Sequence, residues 1–278
     1  MNYRHAFHAG NFADVFKHVF LVRLLSYLAL KESAFRVIDT HAGEGAYDLA
    51  STEAARTGEW RGGVGRLAAL REDDPAWPLI APWLALLGPR DAQGRPALYP
   101  GSPLIAQKLM RPQDRALFCE KHEATFAALR KRFARDRRIK TLALDGWSGL
   151  NAFLPPPERR GLVLIDPPFE ATDELDRLGA AFAQAFRKWP TGVYALWFPV
   201  KAARTSEKLT AALRAAGATR LLTLECAVAP MSADGLTSNG LALVNPPFTL
   251  AGEAERILPT LVRLMERAPG AGAFRMIA

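Results

Sequence analysis

The residues with the clearest chemical potential are Asp166-Pro167-Pro168-Phe169, which directly follow the apolar run 161–165. Two consecutive prolines fix the backbone and remove two amide donors, so the Asp166 carboxylate and the Pro167 carbonyl are held as acceptors. Such an acceptor pair suits an amine that carries two hydrogens, and Phe169 can stack on a base taken out of its helix. The motif therefore predicts chemistry on the exocyclic amine of a base, with Asp166 catalytic and Phe169 contacting the substrate.

A glycine turn follows the first apolar run of the chain, in the segment Asp39-Thr40-His41-Ala42-Gly43-Glu44-Gly45. Glycines let the backbone turn tightly and approach a ligand closely. The segment has neither the third glycine of a dinucleotide fingerprint nor the Lys-Ser/Thr pair of a nucleotide P-loop. The turn thus favours a different adenosine-containing cofactor.

Acidic residues near the ends of three apolar runs indicate which cofactor this is. Asp39, before the glycine turn, suits a cofactor with an amino-acid end, because a carboxylate can accept from its ammonium group. Glu120 suits ribose hydroxyls, and Asp145-Gly146 suits an adenine amine. Adenosine joined to an amino acid is S-adenosylmethionine, so the sequence predicts methyl transfer from this cofactor to an amine.

Short apolar segments alternate with helical patterns through most of the chain, which predicts a parallel sheet covered on both faces. Four of the first five predicted strands end in an acid, so these acids should meet in one crevice at the carboxyl edge of the sheet. An amphipathic helix is expected at about 14–30, and further helices at 123–133 and 173–189. The predicted strands are 35–39, 116–120, 141–145, 161–166 and 192–199.

The alternation breaks at two places. Strands are predicted at 219–228 and 240–244, and the loop between them leaves no room for a crossover helix, so they should pair antiparallel. Residues 49–94 contain three tryptophans, two helix-like pieces and a Gly/Pro-rich exit. We interpret them as a small helical subdomain inserted into a main domain formed by residues 1–48 and 95–278.

A second motif of the same form, Asn245-Pro246-Pro247-Phe248, ends the last of these strands. An asparagine could serve the amine chemistry as well as an aspartate. If that strand runs antiparallel to the others, however, its end lies at the opposite edge of the sheet from the cofactor. This geometry favours Asp166 over Asn245.

The charge of the chain favours a polyanionic partner. With 36 Lys and Arg against 28 Asp and Glu, the formal net charge is +8. The richest basic run spans 130–140, where a solvated helix end is the favoured interpretation for most of the residues. No apolar run is long enough to cross a membrane and the first residues lack the plan of a signal peptide, so we expect a cytoplasmic protein.

Histidines and cysteines do not indicate a metal site. His5, His8, His18 and His41 lack the spacing of known zinc motifs. The two cysteines, Cys119 and Cys226, lie alone in apolar segments and are interpreted as small buried strand residues of a reducing compartment. We therefore expect no metal.

Several segments, spread in order over essentially the whole chain, resemble the bacterial 23S rRNA adenine-N6 methyltransferase family. The opening segment is more specific than the general methyltransferase signature. The segments are Tyr3-Arg4-His5-Ala6-Phe7-His8-Ala9-Gly10-Asn11, Ala13-Asp14-Val15, Lys17-His18, Asp39-Thr40-His41-Ala42-Gly43, Tyr99-Pro100-Gly101-Ser102-Pro103 and Ile165-Asp166-Pro167-Pro168-Phe169.

The resemblance implies a Rossmann-like class I methyltransferase with a small helical insertion, a mostly parallel seven-stranded sheet and an antiparallel last strand. It implies one adenine of 23S rRNA as substrate, S-adenosylmethionine as cofactor and Asp166 as the catalytic residue. Tyr3 would contact the RNA, and we extend this role to His5 and Lys17. Phe169 stands where the family more often has tyrosine, so stacking is retained without a phenolic hydroxyl. The implied cofactor residues are His18, His41, Ser102, Glu120, Asp145, Gly146 and Asp166.

Two alternatives remain open at the level of the sequence. The Asp-Pro-Pro-aromatic motif also serves DNA adenine and protein-glutamine amino methyltransferases. A noncatalytic RNA-binding protein that retains a degenerate methyltransferase fold is the other alternative, although the intact Gly43-x-Gly45 turn and Asp166 argue against it. We expect a monomer.

Overall fold

The computed structural model describes residues 4–171 and 173–278. A large β-sheet lies at the centre of the molecule. Eight strands form one sheet, and two short strands form a separate ribbon. The strands are β1 (Arg36–Asp39), β2 (Ala46–Tyr47), β3 (Tyr99–Pro100), β4 (Arg115–Glu120), β5 (Ile139–Ala143), β6 (Gly161–Ile165), β7 (Val193–Pro199), β8 (Leu221–Ala227), β9 (Ser238–Val244) and β10 (Ala273–Ile277).

The main sheet has the order β10-β8-β9-β7-β6-β1-β4-β5. Strands β5, β4, β1, β6 and β7 pair in parallel, whereas β9 is antiparallel to both of its neighbours. All five residues of β6 are buried, as expected for an apolar strand covered on both faces. Because β6, β1 and β4 are adjacent and parallel, their carboxyl ends meet at one point of the sheet edge.

The predicted parallel sheet and the antiparallel pair near the C-terminus are confirmed, but the number of strands is not. We expected seven strands, and the sheet has eight. The additional strand, β10, pairs antiparallel with β8 at the edge of the sheet. Its sequence is short and largely exposed, and Arg275 within it binds the carboxylates of Glu207 and Glu225. These ion pairs join Arg275 to residues 50 and 68 positions earlier in the chain, so the local sequence carries no sign of them.

Helices cover both faces of the sheet, and each face has its own apolar core. One core contains residues of the first five helices and of the ninth, and the other contains residues of the sixth, seventh and eighth. The helices are α1 (Phe12–Ala29), α2 (Thr52–Thr57), α3 (Trp77–Leu84), α4 (Ser102–Leu109), α5 (Glu123–Phe133), α6 (Gly146–Ala152), α7 (Glu174–Lys188), α8 (Thr205–Ala215) and α9 (Leu250–Met265).

Helix α1 differs from its expected character. The sequence suggested an amphipathic helix, but 14 of its 18 residues are buried. Helices α3, α4 and α9 pack against it and strands β6 and β9 lie below it, so no broad face is left for water. Although α1 is the longest helix of the described residues, none of their helices has the combination of length and apolarity that a bilayer-spanning segment needs.

Residues 49–94 form two short α-helices, α2 and α3, joined by 3-10 turns at Glu59–Gly62 and Val64–Ala69. Trp60 and Trp83 are buried in the same core as α1. The segment therefore packs directly on the main domain, and its treatment as a separate subdomain stays a prediction.

Candidate active site

A cleft of about 1000 Å³ lies at the carboxyl ends of the parallel strands. It is lined by residues of α1, of the loops after β1, β4, β5, β6 and β7, and of the loop between β8 and β9. Tyr3 lies outside the described residues. Asp39, which the sequence assigned to an ammonium group, does not line the cleft. The other site residues named from the sequence all line it: His5, Lys17, His18, His41, Ser102, Glu120, Asp145, Gly146, Asp166 and Phe169.

The Asp166 carboxylate, just beyond β6, is paired with an amine from a distant part of the chain. Lys17 Nζ on α1 donates to Asp166 Oδ2 and also lies 3.0 Å from Asp14 Oδ1. Burial of Lys17 opposes its charge, but the negative charges of Asp166 and Asp14 outweigh this effect and raise the lysine pKa above its ordinary value. The ion pair therefore attaches α1 to the strand end that carries Asp166.

Asp14 organises the N-terminal side of the cleft, a role that the sequence reading missed. Its Oδ2 lies 2.9 Å from His5 Nε2 and accepts from the Gly10 amide at 2.9 Å. Burial alone would raise its pKa, but the nearby positive charges, led by His5 and Lys17, hold the pKa well below the ordinary value. The available signal was the helix start, because Asn11 caps α1 and Lys17 follows Asp14 by one turn.

His18 is buried deeper in the same wall. It is 1% exposed, and its Nδ1 lies 2.8 Å from the Tyr99 hydroxyl. Burial lowers its pKa to about 3, so the imidazole is neutral at neutral pH. A neutral ring can accept or donate one hydrogen bond on its second nitrogen.

The Asp39 carboxylate is turned away from the cleft. Its two oxygens accept from Ser102 Oγ at 2.6 Å and from the His41 amide at 3.2 Å. Asp39 is 1% exposed, and burial raises its pKa to about 6. It is absent from the residues that line the cleft, so it holds Ser102 and His41 in place instead of meeting an ammonium group directly.

Glu120 is fixed by the glycine turn. Gly43 has a φ of +62°, a conformation that favours glycine, and its amide donates to Glu120 Oε2 at 3.0 Å. The His122 amide donates to the other oxygen, Oε1, at 2.7 Å. Gly45 has a different use, because a Cβ there would meet Phe133 at 2.8 Å, and it does not line the cleft.

Asp145 and Gly146 form the far end of the cleft. Asp145 does not end a strand as expected: β5 stops at Ala143, and Asp145 caps α6 by accepting from the Ser148 amide. A Cβ at Gly146 would lie 2.2 Å from the Thr40 carbonyl oxygen, so only glycine fits. Beside it, the Trp147 ring packs edge-on against His41, whose pKa burial lowers to about 4.

Phe169 lies against a second aromatic side chain that the sequence reading did not single out. Its ring meets the ring of Trp197, on β7, in an edge-to-face arrangement with centroids 5.8 Å apart. Lys17 Nζ lies 6.0 Å from the Trp197 ring centre. The ion pair and the two aromatic rings thus surround one part of the cleft floor, where a flat ring with an amine would find both stacking surfaces and acceptors.

This geometry agrees with the relatives of the chain. Residues 32–277 match the family described as ribosomal RNA large subunit methyltransferase D, RlmJ. The chain belongs to this family. It is 40% identical over 270 residues to ribosomal RNA large subunit methyltransferase J of Haemophilus influenzae, covering 95% of this chain and 94% of that one. The protein of that name from Escherichia coli is 38% identical over 262 residues, covering 94% and 92%.

A solved structure supports the architecture. A crystal structure of a protein from Legionella pneumophila superposes with a TM-score of 0.86 at 32% identity and covers 98% of both chains. The fold is therefore the class I methyltransferase architecture that the sequence predicted. Its central sheet is mostly parallel, and β9 runs antiparallel to β7. Family membership also establishes the chain as a large-subunit rRNA methyltransferase.

The second Pro-Pro motif, Asn245-Pro246-Pro247-Phe248, lies outside the cleft, as predicted. Because β9 runs antiparallel to β7, Asn245 emerges near the amino end of β7. Its Nδ2 donates to the carbonyl oxygens of Pro190 and Gly192 at 2.9 and 2.8 Å. Phe248 is 81% exposed and packs edge-on against Tyr27. Asn245 is structural.

The histidines are engaged by individual partners. His8 Nδ1 lies 2.9 Å from Glu59 Oε1, and His41 Nδ1 lies 2.8 Å from Thr40 Oγ1. Within residues 4–171 and 173–278, no group of three or more His, Cys, Asp and Glu side chains is arranged to hold a metal ion. Cys119 and Cys226 are both buried and unpaired, in β4 and β8, as predicted.

Proposed function

We propose that this chain transfers a methyl group from S-adenosylmethionine to the exocyclic N6 amine of one adenine in 23S ribosomal RNA. The observation that carries the proposal is the position of Asp166-Pro167-Pro168-Phe169 at the carboxyl end of β6, inside the cleft. Membership of a large-subunit rRNA methyltransferase family supports the ribosomal substrate. The expectation of a cytoplasmic monomer belongs to the same proposal.

The residues at the β1, β4 and β5 side of the cleft fit the cofactor. Glu120, held by two backbone amides, has the acceptor chemistry for ribose hydroxyls. Asp145 and Gly146 have the acceptor and the space for an adenine ring, and His18, His41 and Ser102 complete the set. When bound, S-adenosylmethionine supplies a methyl group that is already activated, so the protein needs chiefly to position the amine.

Asp166 and the Pro167 carbonyl are proposed to orient the adenine amine. The Pro168 carbonyl accepts from the Glu170 amide and closes the turn, whereas no hydrogen bond to the Pro167 carbonyl is made by the described residues. Two acceptors on the amine hydrogens would direct the nitrogen lone pair toward the methyl group. Asp166 need not be a strong base, because the nitrogen can lose its proton after the methyl group arrives.

The remaining substrate contacts follow from the same arrangement. Phe169 would stack on the flipped adenine, whose extrusion costs a few kcal/mol of unstacking energy. Lys17 would share Asp166 with the incoming amine, and His5 and Tyr3 would contact the RNA. The alternatives of a DNA, protein-glutamine or noncatalytic function are not favoured, since both curated relatives are named as large-subunit rRNA methyltransferases.

The test uses labelled S-adenosylmethionine, unmodified large-subunit rRNA and the purified protein, followed by nucleoside mass spectrometry. N6-methyladenosine in this RNA is the expected product, and mapping would then identify the base. DNA and peptide substrates serve as controls in parallel. Transfer to either control without transfer to rRNA would overturn the proposal.

A further inference from the structure

The loop between β8 and β9, residues 228–237, places an apolar side chain in the cleft. Met231 is 53% exposed. The other exposed large apolar residues of the part of the chain that the structure describes are Leu30, Leu98, Phe248 and Phe274, and none of these lines the cleft. Among these five described residues, Met231 alone presents its apolar side chain to the cleft.

The base of this loop is held firmly, so the position of its tip is defined. The Val228 amide donates to the Thr237 carbonyl at 2.8 Å. Arg267, just after α9, donates from its two terminal nitrogens to the Asp234 and Leu236 carbonyls at 2.8 and 2.7 Å. These bonds close the loop around Met231 without covering its side chain.

The charges around Met231 differ from those at the cofactor side. The cleft residues numbered 197 to 267 include two cations, Lys201 and Arg267, and no acid. Those numbered 120 to 177 include five acids, among them Glu120 and Asp145, and two cations. Residues 49–94 add Arg66, and the side chains of Arg66 and Lys201 make no ion pair or hydrogen bond with the described residues. A positive, partly apolar wall suits the stacked bases and phosphates of a nucleic acid.

We propose that Met231 enters the base stack of the RNA and occupies the space that the target adenine leaves when it turns into the cleft. The proposal rests on the proposed function and names how that reaction reaches a stacked base. Apolar side chains, methionine among them, act as wedges between base steps in other nucleic-acid complexes. A thioether chain is flexible and polarisable, which lets it pack against the faces of whichever bases flank the gap. Lys201 and Arg66 would meet the phosphates on that side.

The experiment compares two RNA hairpins that contain the mapped adenine. In one hairpin the adenine is paired within the stem, and in the other it lies unpaired in a flexible single-stranded loop, so little unstacking and unpairing remains to be compensated. Initial rates of methyl transfer are measured for the wild type, Met231→Ala and Met231→Leu, with Leu30→Ala as the matched control for loss of an exposed apolar side chain. The same hairpins with 2-aminopurine at the target position report extrusion through their fluorescence.

We expect Met231→Ala to lower kcat/KM on the paired hairpin by roughly tenfold or more, in line with the unstacking energy of a base step. The loss on the hairpin with the adenine in its loop should be less than roughly twofold, since extrusion is no longer limiting there. Met231→Leu should recover most of the rate, and Leu30→Ala should resemble the wild type. The fluorescence rise should shrink in Met231→Ala on the paired hairpin alone.

Equal losses on both hairpins, or no loss on either, would overturn the wedge while leaving the proposed function intact. A wild-type protein that methylates neither hairpin nor full-length rRNA would instead remove the proposed function, and this proposal with it.

Discussion

The ion pair between Lys17 and Asp166 lies in the part of the cleft where we propose that the amine is bound. Both partners also depend on other groups, because Lys17 binds Asp14 and Asp166 is held by the two prolines that follow it. Breaking a buried pair by removing one partner leaves an uncompensated charge, which is costly. Here Asp14 remains beside Lys17 when Asp166 is removed, so the fold can tolerate substitutions that the reaction cannot.

Substitution of Asp166 should separate catalysis from cofactor binding. Asp166→Ala removes one of the two acceptors for the amine, and we expect the methyl-transfer rate to fall by roughly 10²–10³-fold. Affinity for S-adenosylmethionine should decline only a few-fold, because Glu120 and Asp145 remain in place. Single-turnover transfer and calorimetric cofactor binding measure the two quantities, and an Asp166→Ala enzyme with full activity would rule out the assigned role.

The buried histidines predict how stability depends on pH. Burial lowers the pKa of His18 from its ordinary value of 6.5 to about 3 and that of His41 to about 4. Between pH 6.5 and the lowered pKa of each histidine, the unfolded chain binds more protons than the folded chain. The free energy of unfolding is therefore highest at neutral pH and decreases as the pH falls, by up to about 1.4 kcal/mol per pH unit for each histidine. Asp39, whose pKa burial raises to about 6, opposes this trend between about pH 4 and 6, since its folded form holds a proton there. The histidines outnumber it.

His18→Gln should therefore flatten the decline in unfolding free energy between about pH 6.5 and pH 4, whatever its effect on stability at neutral pH. His8 provides a contrast of opposite sign. Its hydrogen bond to Glu59 raises its pKa, so its contribution is present at low pH and is lost as the pH rises through that pKa. His8→Gln should make the decline on acidification steeper. Urea unfolding at a series of pH values measures both slopes, and identical slopes in the two variants would contradict the assignment.

Strand direction decides between the two Asx-Pro-Pro-Phe motifs. The sequence alone predicted this outcome, because the pairing of β8 with β9 through a short loop makes β9 antiparallel and turns its end away from the cofactor. The types of the elements and most of their boundaries were also predictable, because apolar runs and glycine turns are local signals in the sequence. The use of Asn245 was not predictable, because its two acceptors, the Pro190 and Gly192 carbonyls, lie more than 50 positions earlier in the chain.

Asn245 should consequently affect stability and not activity. Asn245→Ala loses both side-chain hydrogen bonds at a residue with a φ of +54°, and we expect destabilisation of about 1–3 kcal/mol. Asn245→Gly loses the same bonds but tolerates the backbone conformation, so it should be more stable than the alanine variant by about 1 kcal/mol. Transfer by both folded variants should match the wild type. A loss of transfer at temperatures where they are fully folded would argue for a catalytic role.

The contact between residues 49–94 and the start of α1 gives a second test at the level of elements. The Val64 amide donates to the Gly10 carbonyl at 2.9 Å. A Cβ at Gly63 would lie 2.2 Å from that oxygen, whereas a Cβ at Gly62 would meet nothing within 4 Å. Gly10 in turn donates to Asp14, which holds Lys17. Residues 63 and 64 thus support the segment that carries Asp14 and Lys17 through one close backbone approach.

Gly63→Ala should lower stability by about 1–3 kcal/mol through overpacking and should also reduce the transfer rate, because the segment that holds Lys17 must shift. Gly62→Ala is the matched control, one residue away, and should change neither quantity. Urea unfolding and initial rates on rRNA measure the two effects. Equal behaviour of the two alanine variants would mean that residues 49–94 are not coupled to the cleft in this way.

At the scale of the whole molecule, the surplus of positive charge is not located in the cleft. Among the described residues, seven Lys and Arg and seven Asp and Glu line the cleft, so the formal surplus of +8 lies elsewhere. The sequence predicted the surplus but not its distribution, because ion pairs such as Lys17 with Asp166 join residues 149 positions apart. The run 130–140 illustrates the same limit. Arg132 and Arg138 donate to backbone carbonyls, which the sequence gives no means of knowing, while Arg135 and Arg137 make no ion pair with the described residues.

Arg135 and Arg137 line a shallow hollow together with Arg132 and Arg138, and only Asp136 opposes them there. Four guanidinium groups around one acid form a surface to which RNA phosphates should bind, outside the cleft, even though the sequence favoured a solvated helix end for most of this run.

The double variant Arg135→Gln/Arg137→Gln should then weaken rRNA binding and reduce the slope of log K against log salt by about 1.4–1.8, as expected for two lost phosphate contacts. Affinity for S-adenosylmethionine should stay unchanged. Arg71→Gln/Arg95→Gln changes the net charge equally, at an exposed and a half-buried arginine that are paired with Asp73 and Asp91, so it controls for the change in total charge. If both double variants lower the slope to the same extent, rRNA responds to the total charge and this hollow has no particular role; a loss confined to Arg135 and Arg137 locates part of the RNA-binding surface there.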